Sequence, residues 1–202
     1  MRLAAASMAL VLAAALPATA QARLPCAAIV DDQRGLVETT TGEPWRDLGS
    51  AVLGSDSRNV TVVLQLAALP ATPSRPEHVL VDYTMRFTVG DATAFLTAPA
   101  HAQTAASYGV ELGFRPVVLG QAKVVRDRKR QQLRVTAPLA AFAPLADLAP
   151  GMTATNLNAH VSITPGVGTS PAAARAQTIV IDGASGKATH RLGTRSCVPV
   201  GR

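Results

Sequence analysis

The sequence predicts an all-β protein: an antiparallel β-sandwich of the immunoglobulin-like or jelly-roll kind, forming a single domain behind a signal peptide. Three observations lead there. Apolar residues recur at every second position in several stretches, turn-forming Gly, Asp, Ser and Pro separate these stretches at short intervals, and only 138–151 is a candidate for a short helix. About ten short strands in a domain of this size are best accommodated by two packed sheets.

Taken in chain order, weaker strands are expected at 27–31 and 47–54, closed by the turn signal Gly54-Ser55-Asp56. "NVTVVLQL" then sets Val60, Val62, Leu64 and Leu66 on one face. "HVLVDYTMRFTV" is the clearest case. Val79, Val81, Tyr83, Met85, Phe87 and Val89 point one way, and Leu80, Asp82, Thr84, Arg86 and Thr88 the other. Gly90-Asp91 turns this strand toward a partner at 92–98. "YGVELGF" places Tyr108, Val110, Leu112 and Phe114 together, opposite Gly109, Glu111 and Gly113.

Strands at 117–125 and 131–137 flank a charged turn at Asp127 to Gln131. "PLAAFAPLADLAPG" is the candidate helix, shortened by its prolines. "NLNAHVSI" sets Leu157, Ala159, Val161 and Ile163 against Asn156, Asn158, His160 and Ser162. A loop at 164–176 and a last strand at 177–182 complete the pattern.

Residues 1–22 read as a secretory leader. Arg2 supplies the charged start, Leu3 to Leu16 the apolar segment, and Ala20-Gln21-Ala22 the small-residue cleavage site before Arg23. The apolar run is about 14 residues, short of the roughly 20 that a spanning helix needs, so no transmembrane anchor is expected. Arg23-Leu24-Pro25 before Cys26 does not suit lipid attachment. Cys26 and Cys197, one near each end of an exported chain, are expected to form a disulfide clasp. Closing a loop of that length contributes up to about 5 kcal/mol in the chain-entropy model. Residues 23–202 form the single predicted domain, and the localisation expected is secreted, periplasmic or envelope-associated.

The 202-residue chain carries a formal charge of +6, of which the leader's Arg2 supplies one unit. Much of the remainder sits in "VVRDRKRQQLRV", where Arg126, Arg128, Lys129, Arg130 and Arg134 face a single acid, Asp127. A cationic patch of this kind on a hairpin suits an anionic cell-wall polymer, glycan or lipid surface. Nucleic acid is disfavoured, because the charge is local and no aromatic residue is interleaved with it.

The acidic opening "IVDDQRG" leads into "DLGSAVLGSDSRNVTVVLQLAALPA". A "YTMRFTVGDATAFL" hairpin, a "YGVELG" strand and a basic hairpin running into "LRVTAPLAAF" follow. This order resembles a module found in many secreted bacterial proteins, often appended to extracellular proteases and glycosidases. The resemblance spans residues 28–163 and rests on hydrophobic pattern rather than a catalytic motif. It implies a β-sandwich with an accessory or binding role. The opening departs from the module's acidic-Gly-Asp wording.

Catalytic chemistry has little to draw on. There is no G-x-S-x-G elbow, and His78, His101, His160 and His190 are scattered. Neither H-x-x-x-H nor C-x-x-C spacing occurs, so no transition-metal site is expected. Asp31, Asp32, Glu38 and Asp47 are the candidate acids for calcium, and no EF-hand loop supports them. Haem ligation would fall to Met85, Met152 and His160, with Met85 on a core face; no cofactor is predicted. Trp45 is the candidate aromatic for sugar stacking, and a core position suits it better. Asn156, Asn158 and His160 form a polar face that could receive a polar ligand.

The reading that results is a non-enzymatic secreted binding or accessory module. The alternatives are an extracellular hydrolase with a loop-assembled site and a carbohydrate-binding module.

Overall fold

The structure is a computed structural model that describes residues 27–30, 44–69, 79–100, 105–113, 115–165 and 178–193. The expected leader, Cys26, Cys197, Asp31, Asp32, Glu38, His78, His101 and Phe114 lie outside the described residues. Twelve strands form among the described ones. They are β1 (Ala27–Val30), β2 (Leu48–Ser55), β3 (Asn59–Leu66), β4 (Val79–Val89), β5 (Ala92–Pro99), β6 (Ser107–Leu112), β7 (Arg115–Gln121), β8 (Lys123–Asp127), β9 (Gln132–Pro138), β10 (Thr153–Pro165), β11 (Ile179–Gly186) and β12 (His190–Arg191). The first sheet runs β1-β2-β3-β9-β8. The second runs β11-β10-β4-β5-β6-β7, with β12 also paired to β10. Every ladder is antiparallel, as expected for an all-β sandwich. Among the described residues no helix is long and apolar enough to cross a membrane.

The turns are dictated by local chemistry. Gly90 takes φ 58° at the first position of the two-residue β4–β5 loop, a backbone angle that favours glycine. Asp56 closes the β2–β3 hairpin by accepting the Arg58 and Asn59 N–H groups, each at 2.7 Å. Those hydrogen bonds, led by the one from Arg58, hold its carboxyl below the usual carboxylate range.

Between the sheets lies one apolar core. From the first sheet it takes Leu48, Leu53, Val60, Val62, Leu64, Leu66, Leu133 and Val135. The second contributes Val81, Tyr83, Met85, Phe87, Leu96, Val110, Leu157 and Val161. The alternation read in β3 and β4 is the cause, because every second side chain must leave water. Phe142 closes one end, its ring centroid 5.1 Å from that of Tyr108. Trp45 is half-buried against the core, and its carbonyl accepts the Tyr83 hydroxyl at 2.7 Å.

The structure corrects four expectations. The strand expected at 117–125 is two strands in different sheets, β7 and β8, with the crossing at Ala122. Alternation cannot register that change, since both halves are extended. The helix at 138–151 shrinks to a 3-10 turn, Leu139–Phe142. Pro144 has no N–H to donate to the Ala140 carbonyl, which instead accepts Ala143 at 3.3 Å. Leu112 has an inward phase yet is 52% exposed, because it ends β6 at the mouth of an open cleft. Asn156 does not continue the alternation of β10. It sits at φ 50° in a bulge between Thr155 and Asn158.

Candidate functional site

The hairpin joining β8 to β9 carries the cationic run, and its backbone is held on several sides. Asp127 Oδ1 accepts the N–H groups of Lys129 and Arg130, each at 3.1 Å. Gln131, at φ 54°, donates from its side-chain amide to the Arg128 carbonyl at 2.6 Å. The Gln65 amide reaches the Arg130 carbonyl at 2.9 Å, and the Leu66 N–H donates to the Gln131 carbonyl at 3.0 Å. The one acid of the run is thus occupied mainly by backbone, while Arg128, Lys129 and Arg130 project into solvent. Arg130 Nε stands 4.0 Å from Asp127. Among the described residues Arg128 and Lys129 have no acidic partner.

The five cations of the sequence run do not form one patch. Arg126 has the inward phase of β8, opposite Leu133, and its guanidinium donates to the Pro99 carbonyl across the sandwich at 2.6 Å. Burial draws its pKa below the usual arginine value. Arg134 lies on the outer face of the first sheet, a cross-strand neighbour of Val63 and Val125. Only Arg128, Lys129 and Arg130 share the tip.

The polar face of β10 is also different from its reading. Asn158 and His160 share the outer face of the second sheet, opposite Arg86 and Thr84. Asn158 is exposed, but His160 is only 6% exposed. Arg86 Nη1 stands 3.3 Å from both ring nitrogens of His160, and its Nε pairs with Glu111. Burial, and then the Arg86 charge, push the His160 pKa down to about 4, so the imidazole is neutral at pH 7. Beside it Thr84 and Thr97 share a 2.9 Å hydroxyl hydrogen bond. In place of a polar face open to a ligand, His160 belongs to a packed polar row, because β4 and β10 are both central strands flanked by long side chains.

A contact that sequence reasoning missed lies at Ser55 and His190. Ser55 Oγ meets His190 Nε2 at 2.8 Å and accepts the Gly193 N–H at 2.8 Å. A serine–imidazole pair is the start of nucleophilic machinery. Here Ser55 is only 1% exposed, and among the described residues no carboxylate hydrogen-bonds to His190. The arrangement ties the sheets together and offers no open reaction centre. No sequence signal marked it, since neither residue stands in a recognisable spacing.

Among the described residues no three His, Cys, Asp or Glu side chains are grouped to hold a metal ion. Asp47 is exposed. Met85 is fully buried in the core, and Met152 is half-buried beside Ala149, whose N–H approaches its sulfur at 3.4 Å.

Fold and site together define an all-β sandwich with a braced, solvent-facing cationic hairpin tip. Comparison with protein-family models, curated proteins and solved structures found no match.

Proposed function

We propose that this chain is a non-enzymatic binding or accessory module that works after export, at or outside the cell envelope, and engages an anionic surface through the β8–β9 tip. The observation that carries the reading is the tip itself. Three adjacent cations stand exposed on a loop whose backbone is already fixed by hydrogen bonds to β3 and to Asp127. Fixing the loop in advance reduces the ordering entropy lost on binding. The leader-like residues 1–22 support export, and the burial of Ser55 and His160 favours binding over hydrolysis.

Retention on immobilised dextran sulfate, on poly(glycerol phosphate) and on vesicles containing phosphatidylglycerol tests the reading and separates glycan, wall-polymer and lipid sources of the anion. The protein is retained on at least one of the three and elutes as salt rises toward about 0.5 M. The triple change R128S/K129S/R130S abolishes retention. Equal retention of wild type and triple variant overturns the reading. Export is tested separately by expressing the full chain in a bacterial host and sequencing the N-terminus of the extracytoplasmic product, expected at Arg23.

A further inference from the structure

The sandwich has a second charged end. β9 leaves the cationic tip at Gln132 and runs seven residues to Pro138, a span of about 20 Å. Beyond it, Leu145, Ala146 and Asp147 meet the Gly90–Asp91 turn and the end of β6 around an open cleft of about 350 Å³. Most of the cleft is apolar, including Val89, Val110 and Met152, and at its mouth Leu112 and Leu145 are 52% and 41% exposed. Asp91 and Asp147 stand exposed on its rim, and no hydrogen bond or ion pair engages either carboxylate among the described residues. Glu111 also lines the cleft, but it is committed to Arg86.

We propose that this cleft is a docking site for the β8–β9 tip of a second copy of the chain. The match is chemical at two levels. The carboxylates of Asp91 and Asp147 complement the charges of Arg128, Lys129 and Arg130. The exposed Leu112 and Leu145 offer apolar surface on which the long stems of those cations pack while their heads stay near water. Acids alone would attract any cation. The apolar lining is what selects a long, stemmed cation on a braced loop.

Tip and cleft are different surfaces at opposite ends of the sandwich. The contact is therefore heterologous and joins copies head to tail. One loop in one cleft buries far less than the roughly 1,200 Å² of a stable interface, so association is weak and salt-sensitive. The inference rests on the proposed function in one respect: the tip seeks an anionic partner. A soluble polyanion therefore competes with the neighbouring copy.

Sedimentation velocity on the isolated protein, from about 10 µM to about 1 mM, tests this. The wild type shows a weight-average mass that rises with concentration and returns to monomer in about 0.5 M salt. D91N/D147N keeps its tip and loses its cleft; R128S/K129S/R130S keeps its cleft and loses its tip. Each is monomeric alone, with an unchanged circular dichroism spectrum. An equimolar mixture forms dimers and nothing larger, because one working tip and one working cleft remain per pair.

A wild type that stays monomeric, either variant still associating alone, or a mixture that stays monomeric overturns the inference. The two readings fail separately. A monomeric wild type with tip-dependent retention on a polyanion removes the docking and leaves the proposed function. Association without such retention does the reverse.

Discussion

Ser55 and His190 are 135 positions apart in sequence and 2.8 Å apart in the interior, where the Gly193 N–H also donates to the Ser55 hydroxyl. The Ser55 hydroxyl thus bridges the Gly193 N–H and the His190 ring. Burial lowers the His190 pKa. The pair joins the end of β2 in one sheet to β12 in the other.

Replacing Ser55 with Ala strands the Gly193 N–H and the His190 ring in a buried setting. The expected loss is about 1–3 kcal/mol in urea unfolding. A fluorophosphonate probe is expected to leave native Ser55 unmodified. Stoichiometric labelling at Ser55 would show an accessible nucleophile and contradict the structural role.

Buried His160 and half-buried Asp82, both on the outer face of the second sheet, give stability opposing pH dependences. Folded His160 binds a proton only below about pH 4, against 6.5 for the unperturbed group. Between these values the unfolded chain binds more protons. The His160 contribution is therefore full above about pH 6.5 and is lost as pH falls toward 4. Asp82 runs the other way, because burial pushes its carboxyl from 3.8 up to about 6. The folded state holds that proton longer, so its destabilising effect grows as pH rises through this window. D82N is expected to gain about 1–2 kcal/mol at pH 7 and to lose stability more steeply on acidification than wild type. H160Q flattens the loss between about pH 6.5 and 4. Urea titrations across this range measure both; parallel curves for D82N and wild type would remove the Asp82 assignment.

Neighbouring arginines of the cationic run are predicted to behave oppositely. R128S/K129S/R130S should shift Tm by no more than about 2 °C, since exposed charges contribute little to folding. R126M leaves the Pro99 carbonyl without its donor and is expected to cost about 1–2 kcal/mol. A large loss in the triple variant, or none in R126M, contradicts the division of the run between surface and interior.

Gly109 is predicted to be irreplaceable on packing grounds. A Cβ there would lie 2.0 Å from the Val117 carbonyl and 2.7 Å from the Phe95 ring, which crosses the strand at this point. G109A must displace β7 and is expected to cost about 2–4 kcal/mol. At Gly49 a Cβ meets nothing nearer than 3.8 Å, so G49A serves as a control with little effect. Thermal melts compare the two directly.

Much of the architecture was legible because burial acts on side chains two apart. Val81, Tyr83, Met85, Phe87 and Val89 alternate in the sequence, and all are buried in β4. Gly90 announced its turn through the backbone angle it alone adopts freely. The bulge in β10 was legible in principle, since Ala154 and Leu157 are both core residues three apart with an asparagine between them. That spacing breaks period two at a residue tolerant of positive φ.

Alternation and turn chemistry are local, so the chain alone determined that it would form antiparallel strands around one core, with a charged hairpin between β8 and β9. Partnership is not local. Whether Arg126 faced solvent or Pro99, whether His160 was wet or packed on Arg86, and whether Ser55 would meet His190 were all decided by which strands paired. Extended segments look alike in sequence whichever sheet they join, and a polar side chain acquires its surroundings only when the sheets close over it.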